Sequence, residues 1–345
     1  MTTVLCFGEL LLRLSPQLNG AWIKQASMPV FIGGAELNVA RALARWKVPV
    51  AYCTALPEHY LSGEVISFIA DKGIETGRIQ FSGNRIGTYY LPQGADLKSA
   101  GVIYDRAYSS FWELRPGQID WDTVLQDISW LHFSAISPAL NQQVADVCLE
   151  AAKAASVRGI TVSVDLNYRS KLWQYGKLPL DVMPALAGQC DVIMGNIWAA
   201  NTMLGTWIDE QIHDNSSRNR YLEHAGKTSA EIIERFPKCR VVANTFRFDT
   251  IDGGINYYTS LYTKGEQFHS KAYSSDAVVD KAGSGDCYMA GLIYGLSQKL
   301  VPQETVEFAT AAAFGKLHEK GDATGQTVEK VYETSKTGSL FMDVI

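Results

Sequence analysis

Short apolar runs alternate with longer stretches of helical periodicity across most of the chain, and this alternation confines it to an α/β architecture on a mainly parallel sheet. Candidate strands are 4–12, 50–54, 130–135, 160–165, 191–194 and 240–243. Segments 37–46, 63–71, 141–155, 180–187, 230–235, 284–296 and 303–319 carry apolar residues at three- and four-residue spacing and read as helices. At 345 residues the chain has room for one large domain with an excursion attached.

Two segments break the rhythm. The first is split between 14–31 and 87–104, where Tyr89, Leu91, Val102 and Tyr104 suggest strands around the turn signal Pro92-Gln93-Gly94. These pieces read as a small β lid over one end of the sheet. The second, 206–228, is polar and poorly periodic and reads as a surface insertion.

A net charge of −5 supplies no broad basic field, so nucleic acid is not the expected partner and any anionic ligand must be small and locally bound. Six cysteines scattered without a CxxC pair argue against a zinc site or a disulfide framework and for a reducing compartment. No basic leader precedes an apolar run, and no apolar stretch has the length of a membrane span, which reads as cytoplasmic.

The stretch 279–286, Val-Asp-Lys-Ala-Gly-Ser-Gly-Asp, is a glycine turn feeding a helix. The free amides of a helix start form an anion pocket, and Asp286 sits inside it. The plainer alternative is that Ser284 and Asp286 only cap the helix. Near the N-terminus, Gly33-Gly34 precede a helix whose first turn carries Asn38. Paired glycines let a ligand lie against bare backbone, although a glycine turn before a core helix is also ordinary. There is neither a G-x-x-x-x-G-K-[ST] loop nor a clear G-x-G-x-x-G after the first strand, which counts against P-loop kinases and dinucleotide dehydrogenases. The six histidines show no metal spacing, and no serine stands in a G-x-S-x-G elbow.

Taken together, GGA-x-x-N-V-A and D-x-x-G-S-G-D resemble the PfkB, or ribokinase-like, family of carbohydrate kinases, and the resemblance covers nearly the whole chain. It implies a three-layer α/β sandwich with a small β-sheet lid, folded as a single kinase domain over 1–345. It also implies that the first motif binds sugar hydroxyls through Gly33, Gly34 and Asn38. The second motif would supply Asp286 as catalytic base and the amides of Gly283, Ser284 and Gly285 as an anion hole. Phosphoryl transfer needs such positioning and charge neutralisation more than covalent help.

Three further strings, Gly-Thr-Tyr-Tyr at 87–90, Val-Ile-Tyr-Asp-Arg-Ala at 102–107 and Val-Asp-Leu-Asn-Tyr-Arg-Ser-Lys-Leu-Trp at 164–173, look like the 2-keto-3-deoxygluconate kinase branch. On that resemblance Tyr89, Tyr104, Arg106, Arg169 and Asn167 join Gly34 around an acidic sugar, with Arg169 facing the carboxylate or keto end. An arginine fork suits a carboxylate in a partly dry site. The plainer alternatives are strand tyrosines, a solvated Arg106, and Arg169 paired with Asp165.

The nucleotide side departs from the family pattern. Asn196 ends a strand, but the glutamate expected three residues on is Ala199. Thr245 and Arg247 stand where a lysine- and glycine-rich string is usual and substitute as phosphate contacts. The small-residue helix 308–315 resembles the segment flanking the adenine. The reaction implies ATP and Mg²⁺, with room for a monovalent cation, and leaves the metal ligands unknown. The expected activity is ATP-dependent phosphorylation of 2-dehydro-3-deoxy-D-gluconate at the 6-hydroxyl, in a homo-oligomer associating through the lid. Alternatives are a kinase for a neutral sugar or a related keto-acid epimer, and a non-catalytic sugar-acid sensor on the same fold.

Overall fold

The computed structural model describes residues 2–17, 22–24, 27–92, 101–213, 217–250 and 253–337. Gln93 and Gly94 of the turn signal, 18–21 and 25–26 of the first lid piece, and 214–216 of the polar stretch lie outside them.

Among the described residues the large sheet has nine strands. Six neighbours pair in parallel, in the order Val50–Cys53, Val4–Phe7, Trp130–Ser134, Thr161–Asp165, Val192–Gly195 and Val241–Asp249. Their near-continuous apolar sequence follows from burial on both faces. Within Val4–Phe7, Val4 and Cys6 join one core cluster and Leu5 and Phe7 the other, so successive residues serve the two faces of the sheet. Helices Ala35–Arg45, Ser284–Ser297 and Pro302–Lys316 contribute to the first cluster, and helices Gln142–Val157, Pro179–Ala187 and Ile197–Leu204 to the second. Among the described residues no helix is long and apolar enough to cross a membrane.

A separate sheet has four strands, Val30–Gly33, Leu11–Leu14, Gly87–Tyr90 and Ile103–Asp105, which lie at the ends of the segments 14–31 and 87–104. The apolar run read as one strand over 4–12 divides between the two sheets, Val4–Phe7 in the large one and Leu11–Leu14 in the small one. Gly8, Glu9 and Leu10 are the crossing. A run of apolar residues marks burial but not which sheet buries it, so the division is invisible to periodicity.

Two further differences have physical causes. The strand read over 240–243 extends to Asp249, where it pairs antiparallel with Ile255–Thr263, itself bordered by Glu266–His269 and Tyr273–Ser275. The polar stretch 206–228 runs into an 18-residue helix, Arg218–Arg235, opened by Ser217, whose side chain accepts from Arg220 N. Its buried face includes His224, Thr228 and Ser229 beside Tyr221, Leu222 and Ala225, and those polar residues mask the apolar period.

Candidate active site

The carboxyl ends of the parallel strands open into a cleft of about 520 Å³, the position where open α/β sheets bind ligands. Four of the six parallel strands deliver polar wall residues at or just beyond their ends. Glu9 follows Val4–Phe7, Asp165 and Asn167 follow or end Thr161–Asp165, Asn196 follows Val192–Gly195, and Thr245 and Arg247 lie on Val241–Asp249. The small sheet closes one side with Tyr89, and Tyr104 and Arg106 complete that wall.

Two helix starts converge on the floor. Gly34 precedes Ala35–Arg45 with φ +133°, and a Cβ there would strike Glu9 O, so only glycine fits. Gly283, the residue before Ser284–Ser297, has φ +75°, and a Cβ would overlap Asp322 O. This position answers the capping alternative. The N-cap is Gly283, with no side-chain cap, and the Ser284 hydroxyl turns inward to donate to Ala313 O at 3.1 Å. The first-turn amides are therefore not capped by either side chain.

Asn38 Nδ2 donates to Asp286 Oδ2 at 2.7 Å. Asp286 is only 8 % exposed, and burial lifts its pKa to about 8. The Asn38 hydrogen bond opposes that rise, Asp165 and Glu36 reinforce it, and Arg169 opposes it. A carboxyl so placed can hold or release a proton near neutral pH, as a general base requires. Glu36 is likewise pushed up by burial and accepts from Ser134 N at 2.8 Å and Ser134 Oγ at 2.7 Å.

The structure gathers Gly34, Asn38, Tyr89, Tyr104, Arg106, Asn167, Arg169, Asn196, Thr245, Arg247, Gly283, Ser284, Gly285 and Asp286 on one cleft. Gly33 stands behind that wall, where a Cβ would run into the Asp322 carboxylate. Asn196 spends Oδ1 on capping the helix Ile197–Leu204, accepting from Ala199 N at 2.8 Å. Asn167 N donates to Asp165 Oδ1 at 3.0 Å, a local turn that fixes the loop.

The two arginines differ in kind. Arg106 is not a solvated lid charge but is buried against Glu9, with Nε and Nη2 each 2.6 Å from Glu9 Oε2. Arg169 donates Nη1 to Tyr168 O at 3.0 Å and, among the described residues, forms no salt bridge, so the pairing with Asp165 is not made. Tyr89 donates to Asp322 Oδ2 at 3.1 Å, and Arg13 bridges Asp322 Oδ1 at 2.8 Å and Asp280 Oδ2 at 3.1 Å.

Glu9, Glu36, Asp165 and Asp322 are wall acids outside the expected set of site residues. Glu9 had a signal, an acid inside an otherwise apolar opening run. Asp322 had none, because its role depends on a loop approaching Gly33 and Gly283 from the far end of the chain.

Comparison with known proteins adds ancestry to this geometry. A 2-dehydro-3-deoxygalactonokinase of Haloferax volcanii is 28% identical over 344 residues, 98% of each chain. A 2-dehydro-3-deoxygluconokinase of Bacillus subtilis is 23% identical, over 92% of this chain and 90% of its own. The crystal structure of a 2-dehydro-3-deoxygluconokinase from Thermotoga maritima superposes with a TM-score of 0.87 at 30% identity, covering 97% of this chain and 98% of that one. The pfkB family carbohydrate kinase model matches residues 1–328, which takes in both helix starts, the lid strands and the loop carrying Asp322, and so the chain belongs to that family.

Proposed function

We propose that this carbohydrate kinase transfers the γ-phosphoryl group of ATP to the 6-hydroxyl of 2-dehydro-3-deoxy-D-gluconate. The observation that carries the reading is Asp286, held by Asn38 on the first turn of a helix whose opening amides face the same cleft as Arg169. Asp286 accepts the proton of the attacking hydroxyl, and the amides of Gly283, Ser284 and Gly285 take up charge on the transferred group. Arg169 receives the sugar carboxylate. Gly34, Asn38, Tyr89, Tyr104, Asn167 and the Glu9–Arg106 pair read the hydroxyls, and Asn196, Thr245 and Arg247 lie toward the phosphates. Closure of the small sheet excludes water and protects ATP from hydrolysis.

Among the described residues no group of three or more His, Cys, Asp or Glu side chains is placed to hold a metal. A Mg²⁺ ion arriving on ATP would take most of its ligands from phosphate and water, and Asp165 on the cleft wall would be the carboxylate to hold it. Bound Mg²⁺ neutralises phosphate charge. Replacing potassium by sodium in the assay tests the monovalent cation. Use of ATP places the enzyme in the cytoplasm on this reading. Exposed Val30 and Ile103 on the outer strands of the small sheet support association through the lid, which light scattering in solution tests.

An ADP-release panel over acidic and neutral sugars, paired with thermal shifts, decides the substrate. Turnover of 2-dehydro-3-deoxy-D-gluconate above all others supports the proposal. Preference for the galactonate epimer, which the name of the Haloferax relative favours, moves the specificity but keeps the carboxylate site. A preference for fructose or ribose removes the role given to Arg169, and binding without ADP release leaves a sensor.

A further inference from the structure

Lys316 is fully buried at 0 % exposure, at the last turn of the helix Pro302–Lys316, and no step of the phosphoryl transfer uses it. Burying an ammonium is costly unless fixed partners repay it. Its Nζ donates to Glu319 O at 3.0 Å, and burial lowers its pKa while the charges of Asp280, Asp322 and Glu319 hold it up. The end of its own helix adds favourable negative potential.

The surroundings lead directly to the anion turn. Leu317 O, one residue beyond Lys316, accepts from Val279 N at 2.8 Å and Asp280 N at 3.2 Å. Asp280 Oδ2 accepts from Gly321 N at 3.2 Å, and the Asp322 backbone is packed so tightly on Gly283 that no Cβ fits between them. Segment 279–283 and loop 317–322 therefore form one unit. Arg13 brings one positive charge to its two aspartates from the lid side. Lys316 is the second positive charge that these aspartates feel.

We infer that Lys316 is a positioning residue whose buried ammonium clamps loop 317–322 to segment 279–283 and so sets the amides of Gly283–Gly285 for phosphoryl transfer. The inference rests on the reading of that turn as the phosphoryl site. Loss of the charge leaves Asp280 and, at the wall of a pocket meant for anions, Asp322 under-compensated, and lets the loop that packs on Gly283 relax. A displacement of about 1 Å at such a site costs roughly 10²-fold in rate.

The test compares Lys316→Met, which keeps the apolar length, with Lys316→Ala, which leaves an ammonium-sized space. Expected for both is a kcat loss of about 10²-fold, with the KM for the sugar close to the parent's and cooperative melting retained. Ammonium chloride should restore much of the Lys316→Ala rate, whereas tetramethylammonium chloride at equal ionic strength should not, and neither salt should change the parent enzyme or Lys316→Met. A folded Lys316→Met with parental kcat overturns the inference, as does a Lys316→Ala defect that ammonium leaves untouched. Asp286→Asn, run alongside, separates the two readings. If it retains turnover the phosphoryl-site reading fails, and if it is inactive while the Lys316 variants are not, only the role of Lys316 fails.

Discussion

Asn38 Nδ2 and Asp286 Oδ2 meet at 2.7 Å although 248 residues separate them in the chain. The contact ties two helix starts into one floor and steadies the carboxylate form of Asp286, since a hydrogen bond to the charged state lowers a pKa. Asn38→Ala should therefore raise the pKa of Asp286 and move the acidic limb of the kcat/KM profile to higher pH. A profile that falls in height without moving would show that Asn38 acts on the sugar alone.

Asp286 itself links activity to pH and stability in opposite senses. As a base it works deprotonated, so kcat/KM should rise with pH through about 8. Its folded pKa lies above the unfolded value, so the native state retains a proton that the unfolded state gives up. Stability from this group is present below about 4 and is lost as pH rises to about 8, at about 1.4 kcal/mol per unit of elevation. Asp286→Asn should lower kcat by about 10²- to 10⁴-fold and melt higher than the parent above pH 8. Calorimetry showing no alkaline gain in Tm would contradict the buried-charge account.

Much of this site was legible because its residues are local to motifs. Gly283, Ser284, Gly285 and Asp286 form a consecutive turn and Gly34 with Asn38 spans one helical turn, so each set is local in sequence, and the family resemblance joined the two. Glu9 and Asp322 were not legible in the same way. The partners of Glu9, Arg106 and Ser109, lie about a hundred residues away, and Asp322 meets Tyr89 and Gly33 from the opposite end of the chain. The helix Arg218–Arg235 was obscured because Thr228 and Ser229 occupy core positions where a periodicity count expects apolar side chains.

Two glycines of the anion turn should respond differently to the same added methyl group. At Gly283, φ is +75° and the Asp322 backbone fills the space, so Gly283→Ala should destabilise by at least the ~1–3 kcal/mol of a strained backbone conformation. At Gly285 nothing lies within 4 Å of an added Cβ, so Gly285→Ala should keep the parental Tm. Because Gly285 lines the cleft, its methyl group should nevertheless obstruct the phosphoryl group and reduce kcat/KM for ATP. Unchanged kinetics in a stable Gly285→Ala would remove this residue from the anion hole.

Arg169 and Arg106 face the same cleft, yet replacing them should damage different properties. Arg106 and Glu9 are both almost fully buried, with side chains 4 % and 1 % exposed, so Arg106→Ala strands a carboxylate in the interior. Breaking a buried pair in this way costs about 3–5 kcal/mol, so the loss should appear first in the melting temperature. Adding Glu9→Gln should recover part of it. Among the described residues Arg169 has no acidic partner to strand, and Arg169→Ala should leave Tm nearly unchanged. It should raise the KM for the sugar acid by about 10- to 150-fold, the equivalent of a ~1.5–3 kcal/mol charged hydrogen bond, with little effect on the KM for ATP. Equal losses for both substrates would place Arg169 between them, where it would serve the transferred phosphoryl group and not the sugar carboxylate.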